Sequence, residues 1–246
     1  MPCPNLCTRR AMLVLATTAP WLALATEGVP EAGAHPTRIA RSFTFLYQMQ
    51  RGGIRGSSEF TWSRIGDGYE AHLKGKVAGF TILDWASSGG FDAAGVAPQR
   101  YVEHRIGKSD REVVFRKSEA KISFSDSRRD EIDFVPGVQD RLSWMIQLPA
   151  ILAAAPGKAN AGTRITIYVV GTRGRAELWT FESLGNEVIR TPAGSVRAVK
   201  WSRTLRSADE APAEVWLDPE RRFLPARLRL PSANDSLEFI LADANV

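Results

Sequence analysis

From Phe43 onward the chain alternates apolar and polar residues with a period of two, in short runs broken by glycine, aspartate or proline. That rhythm leaves few folds open. Phe43, Phe45, Tyr47 and Met49 take one side of the first run. "RGGIRG" at 51–56 supplies turn glycines, after which Phe60 and Trp62 face one way while Glu59, Thr61 and Ser63 face the other. "GDG" at 66–68 turns the chain again, and Tyr69, Ala71, Leu73 and Val77 alternate with Glu70, His72, Lys74 and Lys76. The meander continues through "FTILDW", "QRYVEHRI", "REVVF", "KISF" and "EIDF". It resumes later in "TRITIYVV", "RAELWTF", "NEVIRT", "SVRAVKWSRTL", "AEVWL", "FLPARLRL" and "SLEFILA". Strands joined by such short turns pair antiparallel, because a parallel neighbour needs a long crossover. No repeat of fixed period or linker divides the chain, so residues 41–246 read as a single β-rich domain.

One segment departs from this pattern. "DRLSWMIQLPAILAAAPG", residues 140–157, carries no charge from Leu142 to Pro156 and is built from helix formers. It predicts a short helix over 140–155 with Asp140 as its N-cap and Pro149 either kinking it or starting a second helix. Leu142, Met145, Ile146 and Leu152 share one face and Trp144, Leu148 and Ile151 another, so the helix is apolar nearly all round. Such a helix must be covered on every side.

The N-terminus has a different character. Arg9 and Arg10 precede an apolar run, Ala11 to Ala25, that ends in the small-x-small sequence Ala23-Leu24-Ala25. Residues 1–25 therefore read as a cleavable signal peptide, with export to the periplasm and no permanent membrane span after cleavage. "TRRAML" also resembles a twin-arginine signal. Residues 26–40, rich in Ala, Gly, Pro and Thr, read as a flexible lead. Cys3 and Cys7 lie within the signal, so the mature chain holds no thiol for a disulfide, a nucleophile or a metal ligand. Losing two arginines takes the net charge from +5 to +3. The basic residues that remain are interleaved with acids, as in "RKSEAK" and "SRRDEID", which argues against nucleic-acid binding.

Candidate chemistry is sparse. His72 falls on the wet face of its strand, His104 on the apolar side of "YVEHRI", and His35 in the lead; these three make no metal site at any usual spacing. G-x-S-x-G and Walker loops are absent, and the S-x-x-K match at Ser118–Lys121 falls at a turn. No catalytic residue, metal or cofactor is expected. The aromatic residues carry more information, since a curved sheet can enclose a cavity for an apolar molecule. Trp144 and Met145 on the helix, with Trp62 and Phe80 on the sheet, are the candidate ligand-binding residues.

"FLYQMQRGGIRGSSEFTWSRIGDGY", "WASSGGFDAAGVAPQRY", "GRAELWTFESLGNEVIRTPAGSVRAVKWSR" and "AEVWLDPERRFLPARLRL" together resemble the exported bacterial family called domain of unknown function 3108, over about residues 42–241. The resemblance implies export and a β-rich fold, and it supplies no site residues. The last of these stretches reads as a hairpin turning at Asp218-Pro219, with Pro225 at an edge or a strand's start. Its "W-x-D-P" strand, turn and proline-bearing strand are similar to those of periplasmic lipoprotein carriers. That similarity implies a half-barrel or open barrel with the 140–155 helix packed on its concave face. The functional expectation is a periplasmic protein that binds or carries an apolar ligand such as a lipid; the alternative is a non-catalytic structural or interaction protein of the cell envelope.

Overall fold

A computed structural model describes Met1 and residues 35–105, 107–126, 128, 130–205, 212–232 and 235–245. The signal peptide, its cleavage site and most of the lead lie outside the described residues.

Fifteen strands are seen among the described residues. They are β1 (Phe43–Arg51), β2 (Ile54–Ile65), β3 (Gly68–Val77), β4 (Phe80–Asp92), β5 (Gly95–Glu103), β6 (Arg111–Arg116), β7 (Lys121–Phe124), β8 (Ile132–Asp133), β9 (Gln139–Asp140), β10 (Arg164–Gly171), β11 (Arg175–Thr191), β12 (Gly194–Arg203), β13 (Glu214–Asp218), β14 (Leu224–Ser232) and β15 (Asp235–Asn245). All belong to one sheet in the order β8-β7-β6-β5-β4-β3-β2-β1-β15-β14-β13-β12-β11-β10-β9. Every pairing is antiparallel except β9 with β10. The backbone ladder is open, with β8 at one end and β9 at the other.

The alternation in the sequence is the alternation of the pleat. Phe43, Phe45, Tyr47 and Met49 are all buried while Leu46 between them is exposed. Phe60, Trp62, Tyr69, Ala71 and Leu73 extend the same inner face over β2 and β3. Their rings interlock: Trp62 stacks on Tyr69 at 4.7 Å and Phe43 meets Phe60 edge-on at 5.4 Å. Each such pair adds about 0.5–1.5 kcal/mol to the burial of its rings.

Two of the bulges fall at glycines on neighbouring strands, between Gly75 and Lys76 and between Ser88 and Gly89. Glycine is required at Gly89, where a Cβ would stand 2.3 Å from the Ala97 carbonyl oxygen, an approach the backbone can make only where no side chain intervenes. A Cβ on Gly75 would stand 2.6 Å from Met49 Sδ, the end of a side chain that can move.

The concave face holds the helix α1 (Trp144–Ala154), in which every residue from Trp144 to Leu152 is buried. It begins four residues later than the sequence suggested, because residues 141–143 form a tighter turn. It runs without interruption through Pro149, so no second α-helix starts there. The packed chain starts earlier than Arg41. The Arg38 N–H donates to the Ala150 carbonyl at 2.9 Å, and Ala40 is buried with its carbonyl accepting from Trp62 Nε1 at 3.3 Å. Residues 35–40 of the expected lead are thereby tied to the helix and sheet.

The hairpin expected at residues 213–230 is present as β13 and β14, with a 3-10 turn at Pro219–Arg221. Asp218 Oδ1 accepts from the Glu220 N–H at 2.9 Å, as an aspartate opening a turn should. Pro225 sits at the second position of β14, where the register shifts by a bulge, in a strand flanked on both sides.

Candidate functional site

Two turns of chain before and within α1 gather the polar groups of an otherwise apolar interior. Asp140 and Ser143 form a reciprocal cap: Asp140 Oδ1 accepts from the N–H groups of Leu142 and Ser143, each at 2.7 Å, and Ser143 Oγ accepts from the Asp140 N–H at 2.9 Å. The other carboxylate oxygen accepts from Ser87 Oγ at 2.5 Å, and Ser87 Oγ in turn lies 2.9 Å from Tyr69 Oη. Asp140 is completely buried. Burial pushes its carboxyl up to about 6, against the pull of the Ser87 and backbone hydrogen bonds. Burial likewise raises the Tyr69 phenol, and the Asp140 charge adds to it.

Two glutamines complete the arrangement. Gln147 Oε1 accepts from the Val96 N–H at 2.9 Å while its Nε2 donates to the Ala94 carbonyl at 2.6 Å. Gln139 Nε2 donates to the Val96 carbonyl at 2.7 Å. The first residues of β5 lie beyond its pairing with β6, and these side chains take the place of a neighbouring strand. The two halves of the sheet therefore meet along a seam of side chains between β5 and β9.

On the far side of the helix, Trp144 stacks on Phe181 at 4.9 Å and meets Trp179 edge-on at 5.9 Å. Arg203 Cζ lies 4.6 Å and Arg141 Cζ 5.7 Å from the Trp179 ring centre. Trp179 Nε1 donates to Glu177, which also pairs with Arg203 at 3.3 Å. A cavity of about 20 Å³ opens beside the helix, lined by His35, Ala94, Gln147, Ile151 and Thr166 among others. It has room for about one water molecule.

Of the four expected ligand-binding residues, Trp144 and Met145 are adjacent on α1 and each 1 % exposed. Trp62 is fully buried in its stack on Tyr69. Phe80 lies outside this interior: it is 74 % exposed at the first position of β4. No ring contact joins Trp62 or Phe80 to Trp144 among the described residues. His104 does not face inward as expected, because β5 ends at Glu103; it is exposed and its Nδ1 lies 2.8 Å from Asp110 Oδ2. His35 is half-buried beside Lys158, with Nδ1 and Nζ 2.9 Å apart, and burial together with that charge lowers its pKa.

Asp140 was read from the sequence as a cap alone, and Ser87, Tyr69, Gln139 and Gln147 were not singled out. Gln139, Ser143 and Gln147 did carry a signal, being uncharged polar residues in or beside a run that has to be buried, where each needs a partner. Chemically the cluster is closed. Both carboxylate oxygens of Asp140 are engaged, and the hydroxyls beside it, those of Ser87 and Ser143, are hydrogen-bonded to Asp140 itself.

Comparison with solved structures gives a β-barrel-like protein of the domain of unknown function DUF1849 from Brucella abortus, with a TM-score of 0.55 at 11% identity over 85% of this chain and 99% of that one. At that identity the likeness shows the fold alone. A lipoprotein candidate from Parabacteroides distasonis matches with a TM-score of 0.34 at 9% identity, covering 86% of this chain and 98% of that one. A candidate outer membrane lipoprotein-sorting domain from Vibrio parahaemolyticus matches at 0.26 and 9% identity, covering 83% and 85%. No curated protein matches the chain. The family described as "Protein of unknown function (DUF3108)" matches residues 46–242, most of the chain and nearly all of the sheet, and the chain belongs to it.

Proposed function

We propose that this is an exported, non-catalytic protein of the bacterial envelope that works by binding through its outer surface. One observation carries the reading: the concave face, where a barrel-like protein would hold a ligand, is filled by α1, whose residues 144–152 are all buried. The 20 Å³ cavity beside the helix is far below the roughly 300 Å³ at which small-molecule pockets begin. The apolar run before residue 26 supports export.

A second reading, in which an apolar molecule such as a lipid occupies the space α1 now fills, is favoured by the seam. On the side away from β4, Val96 is held by glutamine side chains instead of a further strand, so no strand pairing fastens this edge of β5 to the helix. One measurement separates the two. Protein recovered from its own envelope is extracted and analysed by mass spectrometry. The surface reading expects no stoichiometric lipid; one lipid per chain puts the carrier reading first.

A further inference from the structure

Three of the exposed large apolar residues of this sheet gather at one place, while Leu46, Ile65, Leu184 and Val188 lie elsewhere on it. Ile54 is 57 %, Phe80 74 % and Ile82 42 % exposed, and all three lie at one end of the sheet, on the hairpins β1–β2 and β3–β4. The strands β2 and β3 are neighbours, with Ser57 opposite Lys76. The two hairpins touch closely enough that a Cβ on Gly56 would fall 2.1 Å from the Lys76 carbonyl oxygen and 2.9 Å from Val77 Cγ2.

The charge of these tips is of one sign. Residues 48–58 and 74–83 contain Arg51, Arg55, Lys74 and Lys76 and no acid. Arg51, Arg55 and Lys76 are exposed. Among the described residues the only ion pair of the four is a long one, Lys74 to Asp84 at 3.9 Å. On β12 to β15, by contrast, Lys200 and Arg229 pair with Glu214, and Arg227 pairs with Glu238.

We propose that these two hairpin tips dock the protein on an anionic lipid bilayer, with Phe80 and Ile54 entering the interface and Arg51, Arg55 and Lys76 resting on the headgroups. This deepens the surface-binding reading and rests on it. Apolar side chains ringed by unpaired cations match a surface that is negative outside and apolar beneath. The tips are glycine-rich, as "RGGIR" and "VAGF", and a Cβ on Gly53 or Gly79 would meet nothing within 4 Å. A deformable bilayer accepts projecting side chains of this kind, whereas an acidic protein would need a matching hollow. Screening by salt should weaken the attraction, since the cations act across a Debye length of about 10 Å at moderate ionic strength.

The test is co-sedimentation of the purified protein, processed as the cell processes it, with phosphatidylglycerol–phosphatidylcholine vesicles and with phosphatidylcholine vesicles alone. Binding is expected on the anionic vesicles, falling with added salt and weak on the neutral ones. Phe80→Ser with Ile54→Ser should reduce it about ten-fold or more, and Arg55→Ala or Lys76→Ala about five-fold each. These side chains are exposed, so the variants should keep the wild-type melting temperature, which is measured alongside. Absence of binding to anionic vesicles at low salt, or undiminished binding by the Phe80–Ile54 double variant, overturns the proposal. Failure here without any co-purified lipid leaves the surface reading standing with a protein as partner; a co-purified lipid removes that reading separately.

Discussion

Asp140 is a carboxyl that the fold keeps at a cost. In the unfolded chain it releases its proton near 3.8; in the folded chain burial holds the proton up to about 6. Over the interval between those values the folded state binds the extra proton, so stability falls as pH rises from about 4 to about 6 and is level above. The span corresponds to about 3 kcal/mol as an upper bound. Asp140→Asn keeps the geometry: its Oδ1 can accept from Leu142 and Ser143 and its Nδ2 can donate to Ser87, which turns its proton to Tyr69. Denaturant titrations at pH 4 and pH 7 should show wild type losing stability relative to Asp140→Asn. An unchanged difference would remove the buried-carboxylate account. Asp140→Ala, which abandons two N–H groups and the Ser87 hydroxyl together, should cost about 2–4 kcal/mol at either pH. A second residue is equally constrained by neighbours it never bonds. Gly89→Ala would place a methyl 2.3 Å from the Ala97 oxygen, which only a shift of β4 against β5 can relieve, so a melting temperature lower by several degrees is expected.

Among the elements, α1 is where the sequence was most informative and also where it misled. A charge-free run in a β chain had to be buried, and it is. The run could not say how it would be covered, because apolar periodicity reports that a side chain is buried without naming the neighbour that buries it. A cavity beneath the helix would leave Trp144 with few neighbours; instead it is stacked on Phe181 and edge-on to Trp179. Trp144→Ala should therefore cost about 3–5 kcal/mol, a core penalty, read as a large fall in the denaturation midpoint. A loss under about 1 kcal/mol would mean that the helix sits loosely on the sheet. The strands show the same division. Phe43 to Met49 alternate in sequence and in the sheet alike. The 213–230 hairpin was legible from its aspartate–proline turn, yet all five residues of β13 are buried, where alternation predicts two faces. The outer face there is roofed by long cationic side chains: Lys200 Nζ lies 4.8 Å and Arg227 Cζ 4.6 Å from the centre of the Trp216 ring, whose Nε1 donates to Glu187. Such cover by charged stems leaves no trace in a hydropathy pattern.

At the scale of the whole molecule, the fifteen strands of the described residues form one line of backbone pairs, and what brings its two halves together was not readable from any single run. It depends on Gln139 and Gln147 reaching Val96 and on Asp140 reaching Ser87, contacts between residues more than 40 positions apart in sequence. A side-chain seam differs from a ladder in how it opens. Most ladder pairs can part only with the strands beside them, whereas releasing Val96 requires three side-chain hydrogen bonds at most, each worth about 0.5–1.5 kcal/mol. The seam should therefore open by itself, below the free energy of global unfolding. Native-state hydrogen exchange reads this directly. The Val96 amide, bonded to Gln147 Oε1, should exchange through a local opening insensitive to low denaturant. The Tyr101 and Val113 amides, in the paired region of β5 and β6, should exchange only by global unfolding. Gln147→Ala should speed Val96 exchange by ten-fold or more while speeding the other two far less. If Val96 instead exchanges at the global rate in wild type and variant alike, the seam is as firm as the ladder, α1 has no independent way out, and the interior cannot admit a ligand without unfolding.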